Sequence, residues 1–477
     1  MSAAATAPWN VRSTAGRRAW ARSSSSDPDV RSGGAALPRG AVFFPGSPPM
    51  PLPPPSRIPA LVLVPWLLAA ASCAGHADEP VATPEAAEPK LERVVMLMRH
   101  GVRPPTKAPV SPKGTHDQPW PEWSTDYGEL TAHGYRAVAL LGHWDRRRWI
   151  EEGLLPEEGC PWSADIEIAA SAKSRAQDTA RAMAEGLFPA CSIEIAFPAN
   201  AEADIEFHPL DSGAARMDPQ QAMAQAREML PPGGEAALVA ENAPLFGLLE
   251  RALGCCSPTF CEAGPRPASK QCGLDALPAK FEQGGGGRPK VGALLGTAST
   301  ISQTFLLEYL EGFPMEQVAW GRLSRDEIGE LLEFHRIKFR FEGRAPYVAA
   351  HAASPLAARM LASLRDGARL TLLTGHDTNI ADLGGLLDLH WQVPGYPEDD
   401  PPPGGALGFA LFQAPDGERL VRAFYRSQTM DQVRELQPLG DDNPPYFEYL
   451  PIPGCDAPCR LPDFEALVES KLVAPGA

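Results

Sequence analysis

The sequence predicts an α/β protein: a mostly parallel sheet with helices on both faces, interrupted by an inserted α-helical cap. Three observations lead there. Short strand-like runs, Val94–Met98, "DIEIAAS" (165–171) and "RLTLLTGHD" (369–377), alternate with segments of helical periodicity. Val94–Met98 puts five apolar residues in a row, as a strand buried on both faces does. Between about residues 196 and 345 the strand signals vanish and helical patterns dominate, so the alternation is broken by an insertion.

Taken in order, the folded sequence starts with the strand at Val94–Met98. A helix follows over 131–152, "TAHGYRAVALLGHWDRRRWIEE", then the strand at 165–171. The helix at 175–187 carries Ala176, Ala180, Met183 and Leu187 at helical spacing. In the insertion, "PQQAMAQAREML" and "ISQTFLLEYLEG" read as helices. "EQGGGGRPK" (282–290) reads as a flexible break, since four glycines without a strand–turn–helix context are no phosphate loop. Strand signals return at 369–377 and around "LVRAFYRS". The expected domains are an α/β domain, 92–195 with 346–477, and a cap, 196–345.

The 477 residues carry 43 Lys plus Arg against 59 Asp plus Glu, a formal net charge of −16, which disfavours general nucleic-acid binding. An anion site must therefore be a local pocket. Residues 1–49 are Pro, Ser, Gly and Arg rich and without periodicity, an expected disordered segment or an extension upstream of a start at Met50. Residues 50–73 have the layout of a secretory signal, with Arg57 ahead of an apolar run too short and Pro-broken to span a membrane. "LLAAASC" fits a lipoprotein signal that would lipidate Cys73 and tether the protein to a membrane. Cleavage after Ala77 with release is the other reading. Residues 74–91 read as a linker. Both readings place the protein outside the cytoplasm: periplasmic, outer-membrane-anchored or secreted.

The chain has nine cysteines, and those other than Cys73 are even in number, as disulfides in an oxidising compartment require. Cys160 with Cys191, Cys261 with Cys272, and Cys455 with Cys459 form local pairs. Cys255 and Cys256 are left over and adjacent, where a vicinal bridge is open but strained. No cysteine spacing comes with zinc-type histidines, so no metal or other cofactor is expected.

Ligands of open α/β sheets collect at the carboxyl ends of the strands. The first strand delivers Arg99, His100 and Arg103; the second delivers Ser171 and, one turn later, Arg175; the third delivers His376 and Asp377. Singly, each has a structural explanation: surface cations, a structural histidine, a helix-capping aspartate. Jointly they describe an anion cradle with an acid beside it.

The motif Arg-His-Gly-x-Arg-x-Pro (Arg99–Pro105) and the dipeptide His376–Asp377 resemble the acid-phosphatase branch of the histidine phosphatase superfamily. The resemblance covers nearly all of residues 92–470 and is strongest to bacterial periplasmic phytases and glucose-1-phosphatases. "RHGVRPPTK", "GHDTNIADLGG" and "PPPGGAL" look like the former, "WPEW" (120–123) and "EGFPMEQVAWG" (311–321) like the latter. It implies that His100 is the nucleophile of a phosphohistidine mechanism. Arg99, Arg103, Arg175 and His376 would bind phosphoryl oxygens, and Asp377 would donate the proton. It further implies that Thr106 and Lys107 meet a substrate's outer phosphates, that Thr378 follows the phytase form, and that His335 matches a pocket histidine. Gln303 stands where those phytases have glutamate, and Ala352 where they have arginine. The expected activity is acid phosphatase, phytate included, with a sugar-phosphate phosphatase second and a non-catalytic phospho-ligand binder as the alternative of another class. The expected partner is a small-molecule phosphate ester, and the chain is expected to act as a monomer.

Overall fold

The Val94–Met98 run sits inside a longer strand, β1 (Lys90–Arg99), in the computed structural model, which describes residues 88–474 other than 256, 258 and 261–272. The segments 1–49 and 50–73, Cys73, and the pair Cys261 and Cys272 lie outside the described residues. One boundary is corrected. Lys90 and Leu91, assigned to the linker 74–91, already pair with Gln413 and Phe412 in the sheet.

After β1 come α1 (Ala132–Glu151), β2 (Ile166–Ala170), α2 (Ser174–Leu187) and the short β3 (Ile195–Ala196). A mainly helical stretch follows: α3 (Pro209–Ser212), α4 (Pro219–Glu228), α5 (Gly234–Glu241), α6 (Ala243–Leu253), the hairpin β4 (Glu282–Gln283) and β5 (Pro289–Lys290), α7 (Ala293–Leu310), α8 (Arg325–Leu331) and α9 (Glu333–Glu342). The chain then returns through α10 (Pro346–Asp366), β6 (Leu370–Gly375), α11 (Asp377–Leu387), β7 (Ala406–Gln413), β8 (Arg419–Ser427), α12 (Met430–Arg434), β9 (Tyr446–Leu450) and α13 (Leu461–Lys471).

The seven-stranded sheet has the order β3-β2-β6-β1-β7-β8-β9. β3, β2, β6 and β1 are parallel neighbours, while β7, β8 and β9 add an antiparallel ribbon. Five of the seven strands therefore run one way. β1 shows why its sequence lacks alternation: Val94, Met96 and Met98 pack on one face with Val138, Leu141, Ala180 and Met183 of α1 and α2. Val95 and Leu97 pack on the other with Leu356, Met360 and Ile380 of α10 and α11. Each such buried side chain contributes about 1.5–3 kcal/mol.

The glycine run is not a free linker. Residues 282–290 form the β4–β5 hairpin, and the loop between its strands turns through Gly286 and Gly287 at φ 62° and 83°. That left-handed backbone explains the glycines. The hairpin is fastened by Arg288, whose guanidinium pairs with both carboxylate oxygens of Asp382 at 2.9 and 2.6 Å and donates to the Glu342 carbonyl.

Candidate active site

Three strand ends come level. Arg99 pairs in register with Gly375, His100 N–H donates to the Gly375 carbonyl at 3.0 Å, and Ser171 N–H donates to the Thr374 carbonyl at 2.9 Å. The carboxyl ends of β2, β6 and β1 thus form one rim. Both strand-end glycines are required by close packing: a Cβ on Gly101 would lie 2.9 Å from Val138 Cγ2, and one on Gly375 2.6 Å from Asn379 Oδ1. Asn379 in turn ties the start of α11 down, accepting from His376 N–H at 2.9 Å and donating to the Phe207 carbonyl at 2.7 Å.

His100 is fully enclosed. Its Nδ1 lies 2.9 Å from the Gly101 carbonyl, which can only accept, so Nδ1 carries the hydrogen and Nε2 presents a lone pair. Burial, then the charges of Arg103, Arg175, His376 and Arg99, hold its pKa well below the usual imidazole value. The ring is neutral and its Nε2 lone pair is unprotonated. Arg103 Nε sits 3.3 Å from that Nε2. Burial and the other two arginines push Arg103 down to about 9, which leaves it cationic in acid and neutral solution.

His376 meets His100 edge-on, ring centroids 5.6 Å apart. Ser171 Oγ accepts from Lys173 N–H and lies 3.0 Å from His376 Nε2; with the hydroxyl donating to that nitrogen, the imidazole hydrogen sits on Nδ1. His376 Nδ1–H is then a buried donor without a partner among the described residues. Burial first, then Arg175 and His208, keep this ring neutral too. Arg175, in the first turn of α2, has a buried Nε that likewise lacks a partner among the described residues. Both residues line the same cavity, and unsatisfied buried donors beside a cavity are what an anion would satisfy.

Asp377 does not cap α11: His376 does, and Asp377 occupies the first helical turn. Its Oδ2 pairs with Arg99 at 2.9 Å, and its Oδ1 accepts the Thr378 N–H at 2.9 Å. Burial alone would raise this carboxyl, but Arg99, His335, His100 and Lys338 together bring it well below the usual carboxylate range. Arg99 also donates to Gln303 Oε1 at 3.0 Å and to the Pro401 carbonyl at 2.6 Å.

These groups line a cavity of about 530 Å³, which also takes in Thr106, Gln303, His335, Thr378 and Asn379. Lys107 is exposed and outside the lining. Ala352 is buried within α10 and contributes no charge. Sequence reasoning missed Arg288, Lys338 and His208, all on the cavity wall. Lys338 lies three residues beyond His335 on α9, a same-face spacing that was available as a signal. His208, held by Asp204 at 2.8 Å and packed 4.9 Å from the His376 ring, had none.

Three guanidinium groups around a neutral imidazole, with a carboxylate across the same cavity, on the rim of a mixed α/β sheet, define a phosphomonoester hydrolase. The chain belongs to the histidine phosphatase superfamily (branch 2), whose family pattern matches residues 90–242. It is similar to phytase AppA of Escherichia coli, 33% identical over 402 residues, covering 80% of this chain and 92% of that one. A glucose-1-phosphatase of Salmonella typhimurium is 29% identical over 416 residues, covering 81% and 94%. Among solved structures, the Hafnia alvei phytase in complex with myo-inositol hexakis sulphate superposes with a TM-score of 0.73 at 31% identity, covering 82% of this chain and 98% of that one.

Proposed function

We propose that this chain is an acid phosphatase that hydrolyses phytate among other phosphomonoesters, through a phosphohistidine at His100. The observation that carries this is the neutral, Nδ1-anchored imidazole whose Nε2 lone pair sits among Arg99, Arg103 and Arg175. In the proposed reaction Nε2 attacks phosphorus, and the P–O bond to the leaving alkoxide breaks. The three arginines and His376 Nδ1–H take up the growing charge on the phosphoryl oxygens. Asp377 donates to the alkoxide and then takes a proton from the water that cleaves the P–N bond. Because Asp377 is ionised beside Arg99, it works as an acid only once the phosphate has engaged the arginines, or when the solution is acidic.

Support for a polyphosphorylated substrate comes from the far wall. Lys338, Arg288 and His208 supply basic groups beyond the catalytic ring, and the Hafnia alvei phytase, 31% identical, forms a complex with myo-inositol hexakis sulphate. Thr106 and Thr378 would add hydroxyl contacts, and Lys107 would reach a phosphate only from the rim. A sugar-phosphate specialist remains the second reading on two specific grounds: neutral Gln303 on Arg99, and Ala352 in place of a pocket cation. Phosphate release from phytate and from glucose 1-phosphate at matched concentrations decides between them. A large preference for the sugar ester would reverse the order.

We also propose an extracytoplasmic setting. Disulfides Cys160–Cys191 and Cys455–Cys459 support it, with Cα–Cα distances of 5.6 and 5.4 Å, and Cys255 is disulfide-bonded as well. Among the described residues no helix is long and apolar enough to cross a membrane. Mass spectrometry of the mature N-terminus tests lipidation at Cys73 against simple cleavage, and light scattering tests the monomer. The two-part division into an α/β domain and a 196–345 cap is likewise a proposal; limited proteolysis that releases neither part would count against it.

A further inference from the structure

The reaction needs a proton on Asp377, and the resting site keeps it off. Among the groups touching Asp377, Arg99 holds its own proton permanently, and neither the Thr378 N–H nor its hydroxyl gives up a proton as an acid. His335 is different. Its Nε2 lies 3.8 Å from Asp377 Oδ2, while its Nδ1 hydrogen-bonds to Asp400 Oδ1. An imidazole is the side chain suited to exchanging a proton in weakly acidic solution.

Asp400 is completely buried, and its Oδ2 has no hydrogen-bond partner among the described residues. A buried carboxylate with so little compensation is costly unless a cation stands beside it. His335 is the neighbour that can become one. It is itself buried, its ring lying edge-on against Phe339 with centroids 4.5 Å apart, so its orientation is fixed. The charged groups around it are Asp400 from the loop before β7, Asp377 of α11, Arg99 of β1 behind Asp377, and Lys338 on its own helix.

Resting on the phosphatase reading above, we propose that Asp400 and His335 are positioning residues that load the proton onto Asp377. Asp400 accepts the Nδ1 hydrogen, so a proton bound at Nε2 faces Asp377. When phosphoryl oxygens take Arg99, Asp377 loses its 2.9 Å partner and turns to the 3.8 Å one. The Nε2–H bond breaks as the Oδ2–H bond forms, and Asp377 then gives that proton to the leaving alkoxide. In the second half the attacking water's proton goes to Oδ2 and back to Nε2, so His335 ends as it began.

The test exploits leaving groups. p-Nitrophenolate departs with little help from an acid, whereas an alkoxide needs the proton. In Asp400→Asn the ratio of glycerol 2-phosphate to p-nitrophenyl phosphate kcat falls about tenfold or more, and the alkaline limb of the alkyl-ester profile moves to lower pH. His335→Gln, which keeps the volume without a transferable proton, gives the same split and serves if Asp400→Asn does not fold. Equal loss on both esters in the folded variant overturns the inference and leaves the phosphatase reading standing. Wild-type protein that hydrolyses neither ester sinks that reading itself.

Discussion

Replacing Arg175 by alanine should damage activity while sparing stability. The guanidinium stands at the second position of α2, where the helix dipole disfavours a cation by about 0.3–1 kcal/mol. Its Nε is buried without a hydrogen bond among the described residues, and burial lowers its pKa, Asp377 and Glu129 offsetting only part of that cost. The empty protein therefore carries Arg175 at a loss, and Ala at the same position is a better helix former. Removing it should leave the melting temperature unchanged or about 1–3 °C higher. In the transition state the same group would supply charge-assisted bonds to phosphoryl oxygens. Losing one such preorganised donor costs about 2.7–4 kcal/mol, or about 10²–10³ in kcat. Calorimetry of the ligand-free protein and steady-state hydrolysis of p-nitrophenyl phosphate measure both sides. The upward shift in melting temperature that inorganic phosphate gives the wild type should shrink as well. A variant that melts well below wild type yet keeps its kcat would refute the reasoning, because Arg175 would then be a structural cation.

Three further outcomes follow from the same geometry. His100 and His376 stay neutral in the fold while unfolded histidines protonate near pH 6.5, so the unfolded state binds more protons as pH falls below about 6.5. Asp377, depressed, adds a second loss below its unfolded value of about 3.9. Ligand-free stability measured by denaturant titration should thus decline from pH 7 to 4, while kcat/KM on an aryl phosphate holds below pH 6.5 because His100 is still an unprotonated nucleophile. Lys338→Ala should raise the KM for phytate by about three- to tenfold relative to glucose 1-phosphate, as expected for one partly screened cation meeting a remote phosphate. Asp145→Ala should lower stability by about 3–5 kcal/mol, because it strands Arg426, which is fully buried and pairs with Asp145 at 2.6 Å.

The catalytic rim was legible because its chemistry is contiguous with its strands. Apolar runs end directly in Arg99–His100 and His376–Asp377, so locating the strand locates the side chains. The parallel strands β1, β2 and β6 came with them, whereas the two-residue β3 gave no signal. The β7–β9 ribbon was harder to read: of its three strands only β8 gave a signal, and β7 follows a Pro- and Gly-rich loop. The β4–β5 hairpin was hidden for the opposite reason. Glycines that allow its left-handed turn also erase strand propensity, so Arg288 looked like part of a linker.

Asp400 shows the deepest limit. In "PEDDPPPGG" it reads as a solvated charge ahead of a turn, yet it is buried against His335, 65 residues earlier in the chain. Nothing local marks that pairing. It arises because the loop after α11 folds back beneath the rim, where Pro401 also accepts from Arg99. Long-range polar contacts of this kind follow from topology, which periodicity reports only coarsely.

The most direct measurement is to quench the enzyme during turnover of a phosphate-labelled ester and map the label. Phosphate is expected on Nε2 of His100, stable in base, lost in acid, and absent from His100→Ala protein that still binds inorganic phosphate. Turnover with no label on residue 100, or with label on another side chain, would contradict it.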